Sequence, residues 1–369
     1  MNNKIIYVMK DAIHAYPPCL SQVKLLSLSN IRIVLIAEEC DASVASSLRE
    51  MGVNVCIIGR LNKKKKFWGK VFHWMLFRLK AAKLIKRFYE NGDVIWFGSA
   101  GTAIALKRLV SRLKYVMSVL ELYDRFPFYK KGLAKLLPRA SAVIACELNR
   151  ARIMKIWYGL KELPFVMPNK PYFEMQCERS TKIESLRKDL KGKNVILYQG
   201  ILSNDRSLQT IAKALRLVKK HYTLVVIGKA ISGGEEIILE ELKEIYDDIL
   251  YGGFFPAPQH LLVTEMARIG IAIYDSSSIN NMLCAPNKIF EYSKFGIPII
   301  GSDIPGLQLT VEKNRAGLCV DTDNPCEIAY AIDKIDCEYD FFSAGAKKLY
   351  TSVDNQVVIK KILDKLDLK

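Results

Sequence analysis

The sequence predicts an α/β protein built from two doubly wound parallel sheets. Three observations carry that expectation: the length, the alternation of strand-like with helix-like segments, and the recurrence of that alternation after a proline-rich break. The chain has 369 residues, half of them apolar, enough for a large core and more than one domain usually holds. Short β-branched runs separated by segments of helical period favour parallel strands joined by crossover helices.

The first series opens with Lys4-Ile5-Ile6-Tyr7-Val8-Met9 and continues at residues 31–36 and 53–58, with a helical pattern over 42–51. Further strands are expected at 93–97, 114–119 and 142–145, giving a first domain over residues 1–165. The run Leu163-Pro164-Phe165-Val166-Met167-Pro168-Asn169-Lys170-Pro171 reads as a linker because of its prolines. Strands at 194–199, 222–227, 249–251, 269–274, 297–300 and 317–320 then form a second domain over 166–350. Residues 353–368 have helical periodicity, so the segment 351–369 is expected to be a helix able to pack back on the first domain. Ligands of such sheets bind at the carboxyl ends of strands, and two domains facing each other would enclose a cleft.

Composition narrows the function. No opening basic-then-apolar signal is visible and no apolar run approaches the roughly 18 residues of a spanning helix, so a cytoplasmic protein is expected. The nine cysteines show no CxxC or His-paired spacing, which points to reduced, structural thiols and to neither a disulfide framework nor a zinc site. The net charge of +17 is uneven: residues 1–165 hold 29 Lys+Arg against 11 Asp+Glu, whereas the rest hold 26 against 27. The excess therefore lies wholly in the first domain and suits an extended anionic partner there.

Residues 60–88 concentrate that charge, with eleven Lys or Arg, no acid, and Phe67, Trp68, Phe72, Trp74, Met75, Phe77 and Leu79 interleaved. Aromatic residues beside cations suit the headgroup boundary of an anionic bilayer, each cation adding about 1 kcal/mol near the surface. A helix packed by its apolar face with a solvated basic face is the alternative. Nucleic acid ranks lowest, since no nucleic-acid-binding signature accompanies the charge.

The chemistry-bearing stretch is Pro286-Asn287-Lys288-Ile289-Phe290-Glu291-Tyr292-Ser293-Lys294-Phe295-Gly296-Ile297-Pro298. Pro286 suits the first helical position and Gly296 a C-terminal stop, which predicts a helix over 286–295. Asn287 and Glu291, four apart, share a face, and Lys288 sits near the positive end of the helix, where free N–H groups favour phosphate. Taken alone, the pattern also fits a solvated amphipathic helix.

Its surroundings give it meaning. Val195-Ile196-Leu197-Tyr198-Gln199-Gly200 followed by Asn204-Asp205-Arg206-Ser207-Leu208, then Leu224-Val225-Val226-Ile227-Gly228, the 286–300 helix and strand, Ser302-Asp303-Ile304-Pro305-Gly306 and Ala316-Gly317-Leu318 follow one another in family order. Together they resemble glycosyltransferase family 4, whose members are retaining enzymes of the GT-B fold, two Rossmann-like domains facing a central cleft. In the first half, Cys146-Glu147-Leu148-Asn149-Arg150-Ala151 and Pro168-Asn169-Lys170-Pro171 resemble a bacterial surface-polysaccharide branch of that family.

The resemblance implies that Glu291 bonds the ribose hydroxyls of a nucleotide sugar and that Arg206, with Lys288 as a second cation, holds the diphosphate. Gly200, Asn287, Leu283, Cys284 and Ala285 complete the implied donor site. One departure is Leu283, which stands where the family carries the first of two glutamates, so that backbone amides at 283–285 become candidates for holding sugar and phosphate. Ile201 replaces a family-like arginine after the glycine, and the family's first-domain histidine has no counterpart. Glu121 and Asp124, after a predicted strand, are candidates for acceptor-side catalysis or for capping the next helix. His14 and Tyr16 are placed on the acceptor side; the remaining histidines show no partner pattern. Asp321-Thr322-Asp323 looks like a metal-binding DxD but reads as a turn.

The activity implied is metal-independent, retaining transfer from a UDP- or GDP-linked sugar to a lipid-linked or polysaccharide acceptor such as capsule, O-antigen or lipopolysaccharide. No cofactor is required. The location implied is the cytoplasmic face of the inner membrane. A nucleotide-sugar epimerase or hydrolase of the same fold, and a non-catalytic membrane-associated scaffold, are the alternatives.

Overall fold

The computed structural model describes residues 3–59, 67–110, 113–172, 180–202, 208–230 and 233–368. Two compact units emerge, one comprising Met1–Tyr172 with Asp354–Lys369, the other Phe173–Val353.

The first unit holds seven parallel strands: β1 (Lys4–Ala12), β2 (Arg32–Glu39), β3 (Asn54–Ile57), β4 (Val94–Phe97), β5 (Tyr115–Val119), β6 (Ala142–Ala145) and β7 (Phe165–Val166). Their order is β3-β2-β1-β4-β5-β6-β7, so the sheet winds outward in both directions from the β1/β4 junction. Strand β7 lies inside the stretch expected to be linker. Its Phe165 pairs with Ile144 and the Met167 N–H donates to the Ala145 carbonyl at 2.8 Å, so the unit runs on to Tyr172 instead of ending at 165.

The last helix, Asn355–Lys365, belongs to this same unit. Ile359, Ile362 and Leu363 join Ile5, Tyr7, Leu26 and Leu35 in one core, each buried aliphatic side chain contributing about 1.5–3 kcal/mol. Polar ties fix the seam: Asn355 Nδ2 donates to the Pro168 carbonyl at 2.9 Å and Lys114 Nζ to the Leu366 carbonyl at 2.6 Å.

The basic segment forms the helix Phe67–Phe88, while residues 60–66 lie outside the described residues. One face is packed: Phe77, Ala81 and Ile85 are buried, and the buried His73 bonds the fully buried Glu38 at 2.8 Å. The opposite face leaves Val71, Phe72, Met75 and Leu79 about half exposed beside exposed Arg78, Lys83 and Lys86. The helix thus combines a packed domain face with a second, uncovered apolar stripe. No helix among the described residues is long and apolar enough to cross a membrane.

The second unit repeats the architecture with six parallel strands: β8 (Val195–Leu202), β9 (Thr223–Ala230), β10 (Ile249–Gly253), β11 (Ile269–Ala272), β12 (Ile299–Ser302) and β13 (Gly317–Val320), ordered β10-β9-β8-β11-β12-β13. The observed strands shift from the expected ones by up to three residues. The larger change is at β8 and β9, which continue past Gln199 and Ile227 through paired glycines. Two cores flank the sheet, one around Ile196, Val226 and Ile332, the other around Leu197, Val225 and Tyr292.

Candidate functional site

Gly200 and Gly228 face each other in register near the carboxyl ends of β8 and β9. Both have φ of +142°, and a Cβ placed on Gly228 would fall 1.7 Å from the Gly200 carbonyl oxygen. Only glycine permits this approach, because any side chain would collide with backbone. A Cβ on Gly200 would stand 3.1 Å from Lys288 Nζ, so the glycine opens space directly in front of that cation.

Lys288 arrives from the helix Asn287–Lys294, which lies between β11 and β12 in the chain. Pro286 takes the N-cap position in extended conformation (φ −72°, ψ 148°), so the helix begins one residue later than expected. Its end follows the sequence closely. Gly296, at φ +66°, donates to the Ser293 carbonyl and Ile297 to that of Tyr292, the paired bonds of a Schellman stop.

No acid stands in the first helical turn, and a buried lysine does. That choice opposes the helix dipole, since the positive end prefers anions. A cation there is favourable once an anionic ligand is shared between it and the free N–H groups. Lys288 Nζ also lies 4.9 Å from the Tyr198 ring and 5.4 Å from that of Tyr274, two aromatic faces that hold the ammonium beside Gly200. Asn287 is half-buried at the same helix end.

Glu291, one turn on, is buried and engaged at both oxygens. Gln199 Nε2 donates to Oε2, and His260 Nε2 lies 3.2 Å from Oε1. Gln199 is oriented in turn by the Thr264 hydroxyl, which donates to its Oε1 at 2.8 Å. Sequence reading missed His260, Gln199 and Thr264. It found no partner for the histidine because its partner lies 31 positions away and no local spacing joins them. His73 and His221 likewise have carboxylate partners, Glu38 and Asp248.

The loop before the helix is fastened to itself. The Leu283 N–H donates to the Ile279 carbonyl and the Cys284 N–H to that of Asn281, so these two amides, expected to be free for sugar or phosphate, are already engaged. A Cβ on Gly306 would lie 2.5 Å from the Cys284 carbonyl, which shows how closely the β12 side presses on this loop; Leu283, Cys284 and Ala285 are all buried. Asp275 anchors the other end, accepting from Ser277 N and Asn281 Nδ2. Burial pushes its carboxyl up, but these bonds outweigh it and leave the group below its usual range. A cavity of about 790 Å³ opens beside the loop at the ends of β11, β12 and β13, bordered by Tyr274, Asp275, Ser302 and Asp303. Arg206 lies outside the described residues.

Asp321-Thr322-Asp323 is a turn, with Asp321 Oδ1 accepting the Asp323 N–H at 2.9 Å ahead of the helix Pro325–Cys337. In the first unit, Glu121 follows β5 and lies 3.3 Å from Nη1 of the buried Arg150, which ties it to a structural guanidinium. Asp124 is half-buried just beyond Tyr123, which has φ of +57° and stacks on Tyr129 at 4.5 Å. His14 Nδ1 accepts the Asp41 N–H at 3.0 Å, at the start of the helix Ala42–Glu50. The Tyr16 hydroxyl is pushed up to about 12 by burial and by the nearby Asp11.

Residues 193–335 match the family model described as glycosyl transferases group 1. No curated protein matches the chain. Among solved structures, Alr3699/HepE from Anabaena, captured with UDP and glucose, is 16% identical with a TM-score of 0.74, over 99% of this chain and 100% of that one. A glycosyltransferase from Rickettsia africae ESF-5 gives 14% and 0.69, covering 99% of each chain. Sucrose-phosphate synthase from Thermosynechococcus elongatus gives 14% and 0.70, again over 99% of each. The two Rossmann-like sheets are those of the GT-B fold, and the match to group 1 glycosyl transferases lies within the second unit.

Proposed function

We propose that this protein is a retaining, metal-independent glycosyltransferase that moves a sugar from a nucleotide donor to a lipid-linked surface glycan, working on the cytoplasmic face of a membrane. The observation that carries the donor half is the convergence of a buried lysine, a helix N-terminus and a buried carboxylate around Gly200. Lys288 and the N–H groups of the first helical turn oppose charge growing on the diphosphate as it leaves, a stabilisation that grows along the reaction. Glu291 accepts from the ribose hydroxyls. Arg206 is the second diphosphate cation, which makes a bound metal unnecessary. The diphosphate itself takes the acceptor proton in same-face transfer, so no protein base is assigned.

The HepE structure with UDP makes uridine diphosphate the first nucleotide to test. Calorimetry and melting curves with UDP, GDP, ADP and CDP are expected to show one that binds well. At a hundredfold excess over Kd it stabilises the donor domain by about 2.7 kcal/mol. Absence of binding by all four would remove the donor reading.

The membrane half is supported by the uncovered stripe Phe72-Met75-Leu79 and its flanking cations. Sedimentation with phosphatidylglycerol vesicles is expected to retain the protein at low salt and to release it as salt rises, with a Phe72→Asp/Leu79→Asp variant staying in the supernatant. Equal retention on neutral vesicles would contradict this reading.

A further inference from the structure

We propose that the start of the helix Pro127–Leu136 is a second membrane-contact element, joined to the stripe on the helix Phe67–Phe88, so that the carboxyl edge of the first sheet rests on an anionic bilayer. The inference rests on the membrane reading above and adds where that surface continues and which edge of the unit it turns to the lipid. Phe126 and Phe128 are 58% and 61% exposed, at least as much as any residue of the stripe. Single uncovered apolar side chains are ordinary on a protein surface, but a contiguous set of them marks an interaction site.

Continuity comes from the helix beneath. The helix Ala100–Val110 is buried along most of its length, with the helices Phe67–Phe88 and Pro127–Leu136 both packed on it. Gly132 lets the second of these settle closely, since a Cβ there would fall 2.7 Å from the Ile104 side chain. The Phe128 ring then meets Trp74 edge-on, with centroids 6.0 Å apart. Trp74 is held in turn by Lys10 Nζ, 5.1 Å from its ring. Val71, one turn before Trp74, is exposed, so Phe128 adjoins the stripe through these two residues.

Charge decides what the surface faces. The helix Phe67–Phe88 carries six Lys or Arg and the helix Pro127–Leu136 three, with no acid on either. Lys131 and Lys135, both exposed, follow Phe128 by three and seven positions, so ring and cations share a face. Of the acids nearest in sequence, Glu121 lies against Arg150 and Asp124 is half-buried. An anionic bilayer offers hydrocarbon for the rings and phosphates for the cations over one continuous plane. The two helices follow β3 and β5, and each starts on the carboxyl side of the sheet. The bilayer therefore meets the rim at which parallel sheets bind their ligands.

The test is sedimentation of the full chain with phosphatidylglycerol and with phosphatidylcholine vesicles, alongside melting curves. Phe126→Ser/Phe128→Ser is expected to weaken retention on phosphatidylglycerol about tenfold or more. Lys131→Glu/Lys135→Glu leaves the rings in place and is expected to weaken it about tenfold or more as well, most strongly at low salt. Should the serine pair melt early, the lysine pair, wholly on the surface, decides. Val357→Ser is the control. Val357 is 47% exposed on the helix Asn355–Lys365, whose core partners Ile5 and Tyr7 point to the sheet face opposite Lys10 and Trp74, and its loss is expected to leave retention unchanged. Wild-type retention of the lysine pair, with Phe72→Asp/Leu79→Asp released, overturns the second element and leaves the stripe standing. Equal loss in Val357→Ser also overturns it, because the effect would then not belong to this face. Failure of wild type to bind phosphatidylglycerol vesicles overturns both readings.

Discussion

Replacing Glu291 by alanine is expected to lower kcat/KM for the nucleotide-sugar donor by about 10²–10⁴-fold, measured as sugar transfer or donor hydrolysis. Two hydrogen bonds to a charged acceptor are lost, each about 1.5–3 kcal/mol, and every 1.4 kcal/mol is a factor of ten. The loss is expected mainly in KM, because the ribose contact is present in ground and transition states alike. Alanine also strands the Gln199 amide that now bonds the carboxylate and removes the oxygen that lies 3.2 Å from His260 Nε2. Melting curves separate that structural cost from the binding loss: a variant that melts near wild type yet no longer uses the donor supports the site. Full turnover by a folded Glu291→Ala protein would eliminate it. Lys288→Met offers a contrast. It removes charge that matters more as the diphosphate leaves, so kcat is expected to fall more than KM rises.

Gly228→Ala is expected to be among the most damaging single methyls in the donor domain. The added Cβ would lie 1.7 Å from the Gly200 carbonyl oxygen, at a φ of +142° that alanine resists. Backbone strain of about 1–3 kcal/mol and overpacking of similar size sum to roughly 2–6 kcal/mol. For a unit of this size that corresponds to a drop in melting temperature of about 5–20 °C. Relief is possible only if β8 and β9 part at their ends, which carries Gly200 away from Lys288, so nucleotide binding is expected to fail along with stability. Gly233→Ala is the control: its φ is +76°, but no atom lies within 4 Å of the added carbon, leaving backbone strain alone. Equal melting of the two variants would show that the strand-end contact has no special weight.

How much of this was legible beforehand depends on the distance over which each feature is encoded. The helix Asn287–Lys294 was readable because its start, stop and functional face lie within a dozen residues, and only the exact role of Pro286 differed. Strand β7 was not readable. Its two residues sit among prolines that signal a break, and they become a strand only because β6 offers an unpaired edge. The basic segment was legible in charge but not in geometry. Its sequence allowed either a packed helix or a surface helix, and the structure has both at once, with His73, Phe77 and Ala81 packed and Phe72, Met75 and Leu79 exposed.

The sequence by itself determined the α/β class, the two series of strands, the confinement of excess positive charge to the first domain, and the placement of Lys288 and Glu291 on one short helix. These follow from periodicity and composition, which report whether a side chain is buried and which neighbours lie within a turn. Only the tertiary structure decided the order of the strands, the return of the helix Asn355–Lys365 to the first unit, the contact of Gly200 with Gly228, and the chain Thr264, Gln199, Glu291, His260. Each of these joins residues tens to hundreds of positions apart. Their meeting is fixed by how crossover helices fold back on a parallel sheet, and no local pattern in the chain records it.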